Sequence, residues 1–487
     1  MTYQKKPKKT VTSGTTPVSA PSFDILATPN LLIESSDDKA TIPLVLIKTA
    51  DFPAWVQKQT AKTQNIFTAQ NWTAQIDSIA CLYNDNGTLD TVFAGIASPL
   101  PLYGICSVVE KLPQQSYHLV ASHLSDDELE NLTTGWLLTA YRFSMFKNQR
   151  SDFPFLVWPK DMDQDRVISM ARAIYIVRNL INLPPNALGP QSLADSIVMV
   201  GKLFDAETRV VEDSDLLTEN FPLIYAVGDG SERRPRMAEF TWGDPSHPKV
   251  TLVGKGVCFD TGGYDLKPSA AMLTMKKDMG GAATALGVAF LIMSLNLPVR
   301  LHLIIACVEN SVSGRAYRPS DILVSRKGLS VEVGNTDAEG RLVVADCLTY
   351  ACEEYPDLLI DYTTLTGAAR AAVGLDVQAM YTRDTELARE LQDLSIEQDD
   401  PLWHMPLWAS YKADIMSPIA DLNNNGSNPA GSITAALFLE HFVESDTNWI
   451  HLDHSGWEPN GKAGRPKGGA ETALRSTFAL IEQKFWA

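Results

Sequence analysis

The second part of the chain alternates apolar, strand-like runs with helical runs, and no other feature of the sequence constrains the fold as much. The predicted strands cover residues 248–260, 299–309, 329–334 and 357–367. The predicted helices cover residues 280–295 and 341–355, and a further one begins at Ala368. This alternation predicts an α/β fold with a mostly parallel, or mixed, central sheet flanked by helices. Ligands of such sheets bind beyond the carboxyl ends of the strands.

The length of 487 residues predicts two domains. The first part mixes short strand-like runs, at 42–50 and 78–84, with a helical stretch over 127–146, and we find no catalytic cluster in it. A helix over 163–182, ended by LPPNALGP, is predicted to connect the two domains. We therefore expect a flexible tail over 1–22, a smaller N-terminal α/β domain over 23–165 and a larger catalytic domain over 166–487.

Charge and composition argue against several classes of protein. A formal net charge of −17 disfavours nucleic acid as a partner, because phosphate binding requires clustered Lys and Arg. The lysine-rich start has no apolar segment typical of a secretory signal. It is interpreted either as a disordered end or as a basic targeting signal. The longest apolar run, 287–295, is too short to cross a membrane. Scattered cysteines without CxxC spacing are typical of free thiols, and we expect a cytoplasmic protein.

Polar residues gather where predicted strands end. NTDAEGRL (335–342) follows one strand, and GKGVCFDTGGYDLKPS (254–269) with MKKDMGG (275–281) lies at the end of another. The charged residues that this placement brings together are Lys255, Asp260, Lys267, Asp278, Asp337, Glu339 and Arg341. Because four carboxylates in one place repel each other, cations are expected to neutralise them. Two divalent metals sharing bridging carboxylates suit four acids better than one metal does.

The donor types limit which metals fit. HExxH and CxxC motifs are absent, so the ligand set is rich in oxygen and suits Mn, Mg or Zn. Single residues also have simpler interpretations. Asp278, for example, could serve merely as the N-cap of the helix that follows it. VGKG (253–256) lacks the spacing of a phosphate-binding P-loop.

Three segments resemble the signature segments of the leucine (cytosol) aminopeptidase family of dinuclear-metal exopeptidases. They are GKGVCFDTGGYDLKPS, MKKDMGGAA and NTDAEGRLVVADCL, and DYTTLTGAA (361–369) resembles a further one. The resemblance covers residues 183–487 and is only loose in the N-terminal part. It implies a metal-dependent, leucyl-type aminopeptidase that releases N-terminal amino acids from peptides. It also implies a homohexamer, which no pattern in the sequence establishes.

The resemblance assigns roles to single residues. The implied ligands of two divalent metals are Lys255, Asp260, Asp278, Asp337 and Glu339. The implied catalytic pair is Lys267 and Arg341, and the implied pocket for the first side chain of the substrate contains Met275, Thr364 and Gly367.

Physical chemistry is consistent with these roles. Lys255 can bind a metal only as the neutral amine, a form that nearby dications favour. Lys267, as an ammonium, would stabilise the oxyanion formed when water attacks the peptide carbonyl. No His or Glu in the motifs remains free to act as a base. In the family, the arginine holds a bicarbonate ion that carries the proton, and the resemblance implies the same proton shuttle at Arg341.

The substrate is less defined than the reaction. A free α-amine can bind one metal, so peptides with an unblocked N-terminus are the expected substrates. Met275 predicts an apolar preference without fixing it. HLDHSGWEP (451–459), which borders this pocket in the family, is more polar here than the usual version, so a preference for leucine stays open. We interpret His454 as a core-edge histidine rather than a ligand.

Two other classes of function are weighed against the enzyme. A regulatory, DNA-binding role would need a basic groove, against which the net charge argues. A catalytically silent scaffold would not need the intact set of candidate ligands together with Lys267 and Arg341. We therefore favour the aminopeptidase.

Overall fold

The computed structural model describes residues 24–35, 40–120, 124–426 and 429–486. The tail predicted over 1–22 lies outside the described residues. Within the described part of the chain, no helix combines the length and the apolar character that a membrane span needs.

A six-stranded sheet forms the N-terminal part. Its strands are β1 (Leu32–Ile33), β2 (Ile42–Lys48), β3 (Ile79–Tyr83), β4 (Leu89–Ile96), β5 (Ser116–Val120) and β6 (Phe155–Val157). The helices of this part are α1 (Phe52–Val56), α2 (Ala61–Gln70), α3 (Cys106–Lys111) and α4 (Asp126–Thr139), with a 3-10 turn at Thr49–Asp51. The strand order is β1-β6-β5-β2-β4-β3, and all pairs are parallel except β3 with β4.

Helix α4 is shorter than the helical stretch predicted over 127–146. Arg142 Nη1 donates hydrogen bonds to the carbonyl oxygens of Thr139 (2.9 Å) and Tyr141 (2.7 Å), at the end of the helix. The Tyr141 ring then packs edge-on against Tyr175, with 4.8 Å between ring centroids. These contacts hold the chain where it leaves the helical path after Thr139.

Helix α5 (Gln164–Asn182) follows, and most of its residues are buried. Asp163 caps it, because its Oδ1 accepts a hydrogen bond of 3.0 Å from the Arg166 backbone nitrogen.

The rest of the chain contains thirteen strands and ten α-helices among the described residues. The strands are β7 (Glu207–Glu212), β8 (Arg236–Trp242), β9 (Lys249–Asp260), β10 (Arg300–Asn310), β11 (Ile322–Val324), β12 (Ser330–Glu332), β13 (Leu358–Thr363), β14 (Gln378–Tyr381), β15 (Leu402–His404), β16 (Leu422–Asn423), β17 (Trp449–Asp453), β18 (Trp457–Glu458) and β19 (Gly468–Gly469). The helices are α6 (Pro190–Leu203), α7 (Asp215–Thr218), α8 (Pro222–Gly228), α9 (Ser269–Met272), α10 (Gly280–Ser294), α11 (Glu339–Cys352), α12 (Gly367–Val373), α13 (Thr385–Glu397), α14 (Gly431–Glu440) and α15 (Leu474–Phe485). Two 3-10 turns lie at Met275–Met279 and Ala409–Ile415.

Eight of these strands form the central sheet, in the order β15-β14-β17-β13-β9-β10-β8-β7. The four middle strands, β17, β13, β9 and β10, are parallel, whereas β14 and β8 run antiparallel to their inner neighbours. The α/β class and the mixed central sheet predicted from the sequence are therefore confirmed. The predicted strand over 329–334 is real but lies elsewhere, since β12 pairs with β11 and β16 in a small sheet.

Two hydrophobic clusters cover the two faces of the central sheet. Successive residues of β9 alternate between them, with Leu252 in one cluster and Val253 in the other. Helix α10 is apolar on all sides because it is enclosed by β9, β13, α5 and α15. Gly281 permits this close packing, since a Cβ atom there would overlap the carbonyl oxygen of Tyr362.

The first of these clusters also extends into the N-terminal sheet. It includes Leu44 of β2 and Trp136 of α4 together with Leu252, and the residues of α5 join them. A buried ion pair lies beside this junction: Arg178 Nε of α5 is 2.7 Å from Glu471 Oε2, and both residues are almost fully buried. Arg178 Nη2 also donates to the hydroxyl of Tyr103, in the N-terminal part, at 3.0 Å.

This ion pair gives a prediction about stability. Arg178→Ala leaves the Glu471 carboxylate buried without its main partner, so we expect the free energy of unfolding to fall by about 3–5 kcal/mol. Urea unfolding followed by circular dichroism measures this change. The matched control is Arg318→Ala, which removes an exposed pair with Asp321 at 3.6 Å and should change stability by less than about 1 kcal/mol. Equal unfolding midpoints for the two variants would contradict the prediction.

Candidate active site

All ten residues singled out from the sequence line one cleft of about 290 Å³. Lys255 lies within β9, and Asp260 is the last residue of that strand. Met275 and Asp278 lie on the 3-10 turn before α10, and Glu339 and Arg341 lie in the first turn of α11. Lys267 and Asp337 come from the loops that precede these elements, while Thr364 and Gly367 follow β13. The cleft is therefore at the carboxyl ends of neighbouring parallel strands, as predicted.

Four carboxylates meet two lysines in this cleft. One oxygen from each of Asp260, Asp337 and Glu339 lies within 4.8 Å of the others. Lys255 Nζ is 2.6 Å from Asp278 Oδ2 and 3.0 Å from Glu339 Oε1. Lys267 Nζ is 2.8 Å from Asp260 Oδ2 and also contacts Asp337. The two ammonium groups thus compensate only part of the negative charge.

The pKa values of these groups reflect their burial and their mutual charges. Burial, followed by the negative charge of Asp260, raises the pKa of both Asp337 and Glu339. Burial alone would lower the pKa of Lys255, but the charges of Asp278 and Glu339 outweigh it and raise that pKa. The two ammonium groups are too few for all four carboxylates to ionise in this cleft. Such a set of oxygen donors suits divalent cations. The residues present therefore fit a metal site.

Two polar residues hold the carboxylates in place. Asn310, the last residue of β10, pairs in register with Asp260 and donates hydrogen bonds to its Oδ1 (2.8 Å) and to the carbonyl oxygen of Thr336 (3.0 Å). Thr364 Oγ1 donates to Asp278 Oδ1 at 2.8 Å. Asn310 is not among the residues predicted from the sequence. The only indication of it in the sequence is a polar residue at the end of the strand that neighbours the one ending in Asp260.

The Arg341 guanidinium is buried, and its Nε and Nη1 atoms have no hydrogen-bond partner among the described residues. Burial lowers the pKa of Arg341 to about 10, against the opposing charges of Glu339 and Asp453. A buried guanidinium with free donors on the wall of a cleft can receive an anion with two oxygen acceptors.

Two further basic residues line the cleft, and neither was predicted from the sequence. Lys277 lies on the same 3-10 turn as Asp278, and Arg370 lies on α12. Burial, followed by the positive charge of Arg370, lowers the pKa of Lys277 to about 7. Their only sequence signal was a second lysine in MKKDMGG and an arginine after LTGAA.

His454 lies outside the carboxylate cluster. It is buried, and its Nδ1 is 2.8 Å from Thr472 Oγ1. Burial and then the nearby Lys277 lower the pKa of His454 to about 3. No described residue of the segment 451–459 lines the cleft, although a Cβ atom placed on Gly456 would be 3.4 Å from Thr364 Cγ2.

An oxygen-rich cation site at the carboxyl ends of parallel strands, open to a cleft with a free arginine, is typical of metal-dependent hydrolases. Residues 175–477 match the family model described as "Cytosol aminopeptidase family, catalytic domain". Residues 42–159 match "M17 aminopeptidase, N-terminal domain". The chain belongs to the cytosol aminopeptidase family, and the resemblance seen in the sequence is confirmed.

Individual relatives agree with this assignment. A probable cytosol aminopeptidase of Syntrophotalea carbinolica is 42% identical over 371 residues, which are 72% of this chain and 74% of that protein. The crystal structure of the cytosol aminopeptidase from Coxiella burnetii superposes with a TM-score of 0.90 at 40% identity, covering 94% of this chain and 100% of that one. The bottromycin maturation enzyme BotP, solved in complex with Mn, has a TM-score of 0.82 at 27% identity, covering 91% and 99%.

Family membership fixes the class of reaction. The chain is a metalloaminopeptidase, a hydrolase that depends on divalent metal and removes N-terminal residues from peptides. This part of the functional prediction made from the sequence is confirmed.

Proposed function

We propose that this aminopeptidase holds two divalent cations per subunit, with Zn, Mn and Mg all compatible with the donor set. The residues that would hold them are Lys255, Asp260, Asp278, Asp337 and Glu339. The observation that carries the proposal is the meeting of four carboxylates and two lysines in one cleft. Bound cations would supply a water nucleophile near neutral pH and would polarise the scissile carbonyl.

Lys255 and Lys267 take different roles. Lys255 is enclosed by Asp278 and Glu339 and would bind a cation through its amine after losing a proton. Lys267 is more open, and Asp260 and Asp337 hold its ammonium group in place. Burial opposes the charge of Lys267, but Asp260 and Glu339 raise its pKa, so the group stays positive at neutral pH. Its charge would stabilise the oxyanion that forms at the substrate carbonyl.

Arg341 would position the proton carrier. Its Nε and Nη1 atoms are unpartnered donors, so the guanidinium has hydrogen bonds to offer to a bicarbonate ion. Arg341 would hold the bicarbonate ion beside the scissile bond, and the ion would supply the proton acceptor and donor that the hydrolysis needs. The arginine itself keeps its protons throughout.

The substrate would enter with its free N-terminus. The proposed pocket for its first side chain is formed by Met275, Thr364 and Gly367, which share the cleft with the carboxylates. A peptide with a blocked amine would lose one of its anchoring contacts, so the correct placement of the scissile bond would be lost as well.

The first prediction concerns the reaction. We expect metal-stripped protein, supplied with Mn or Zn in bicarbonate buffer, to hydrolyse leucine-p-nitroanilide but not the N-acetylated form. Release of p-nitroaniline is followed by absorbance, and glutamyl and other aminoacyl anilides complete the panel. Metal-bound protein that cleaves no member of the panel would contradict the proposal and favour a silent scaffold.

The second prediction separates the metal ligands from the catalytic pair. Asp337→Ala should lower metal content and reduce turnover about 10³-fold, since a metal contributes several kcal/mol to the reaction. Arg341→Ala should keep its metal and slow turnover about 10²-fold. Metal analysis by mass spectrometry and steady-state kinetics measure both effects. Asp244→Ala, at an exposed loop, is the control, and full metal occupancy in Asp337→Ala would contradict the ligand assignment.

Assembly and location are also part of the proposal. We expect a cytoplasmic homohexamer, by likeness to the family, with the domain boundary at residues 165 and 166. Light scattering should give about six times the 53.4 kDa mass of one chain. A mass near that of one chain would contradict the hexamer.

A further inference from the structure

One corner of the cleft contains two cations without counter-ions. Lys277 is only 4% exposed and lines the cleft, yet its side chain makes no hydrogen bond or ion pair with any described residue. Arg370 lines the same cleft, and its guanidinium likewise has no ion pair within the described ranges. Buried cationic groups are normally paired, because an uncompensated charge is costly to remove from water.

The nearest carboxylates already have other partners. Asp278 Oδ2 is held by Lys255 at 2.6 Å, and its Oδ1 accepts a hydrogen bond from Thr364. Asp453 Oδ1 accepts from the backbone nitrogens of Leu365 and Thr366, each at 3.0 Å. Asp453 Oδ2 accepts from the Thr366 hydroxyl at 2.6 Å. Neither acid is therefore free to turn toward Lys277.

The unpaired cations border the pocket proposed for the first side chain of the substrate. Lys277 lies two residues after Met275 on the same 3-10 turn. Arg370 Nη2 would be 3.6 Å from a Cβ atom placed on Gly367. Both therefore lie beside residues assigned to this pocket.

We propose that Lys277, assisted by Arg370, is a specificity-determining residue that selects peptides whose first residue is Glu or Asp. This inference rests on the proposed function, since it uses the same cleft and the same substrate orientation. An acidic first side chain would bring the negative charge and the oxygen acceptors that this corner lacks. A leucine side chain would leave both cations unpaired, so it would gain only the contact with Met275.

The test compares kcat/KM for glutamyl- and leucyl-p-nitroanilide in metal-loaded enzyme. The wild-type enzyme should cleave the glutamyl substrate at least as efficiently as the leucyl one. Lys277→Met keeps the length of the side chain but removes its charge, and the ratio of glutamyl to leucyl kcat/KM should fall roughly 10- to 100-fold. The fall should lie mainly in KM for the glutamyl substrate, and Lys277→Arg should restore most of the ratio.

The neighbouring lysine provides a matched control. Lys276 Nζ donates to the backbone oxygen of Asn182 at 2.6 Å, outside the cleft. Lys276→Met should therefore leave the ratio unchanged. Metal content is measured for each variant, because Lys277 is adjacent to Asp278, and the variants are compared at equal metal occupancy.

Two results would overturn the proposal while leaving the aminopeptidase intact. One is leucyl hydrolysis with a ratio that is the same in Lys277→Met and wild type. The other is a Lys277→Met defect that is confined to the dipeptide Leu-Gly and is absent for its C-terminal amide. The carboxylate that Lys277 binds would then be the C-terminus of the peptide and not its first side chain. Failure of the wild-type enzyme to cleave any substrate would instead reject the proposed function on which the inference rests.

Discussion

Compensation of charge among four clustered carboxylates, three of them buried and one half-buried, is the constraint on which the rest of this structure depends. Asp260, Asp278, Asp337 and Glu339 come from three separate stretches of chain, and each would be costly to bury alone. Lys255 and Lys267 offset part of their charge. The remainder creates the affinity for divalent cations that the family's chemistry requires.

The central sheet makes this concentration of charge possible. Its four parallel strands end at one edge, so loops that are distant in sequence deliver their side chains to the same place. Asn310 lies opposite Asp260 in the strand register, so its side-chain amide holds that carboxylate by a hydrogen bond without adding charge. Helix α10 and its close contact at Gly281 keep the turn that carries Asp278 pressed against the sheet.

Periodicity predicted the α/β class and the main strands around the cleft, and the motifs predicted its four carboxylates and three of its basic residues. The resemblance to the family added Met275, Thr364 and Gly367, which also line the cleft. Features set by distant contacts were not predictable in this way. Helix α4 ends at Thr139, and just beyond it the Tyr141 ring packs against Tyr175 of α5, a contact that no local pattern reveals. β12 pairs outside the central sheet for a similar reason. Lys277 was overlooked because a lysine beside a motif residue is indistinguishable from a solvated one until its surroundings are known.

The hydrophobic core shared by the two sheets has an evolutionary consequence. Tyr103 belongs to the N-terminal part, Arg178 to the helix between the sheets and Glu471 to the segment before α15, yet they form one hydrogen-bonded network. A substitution at any of the three alters the environment of the other two. Exchange of the N-terminal part with that of a relative is therefore constrained, and the two halves of the chain are expected to accumulate compensating changes together.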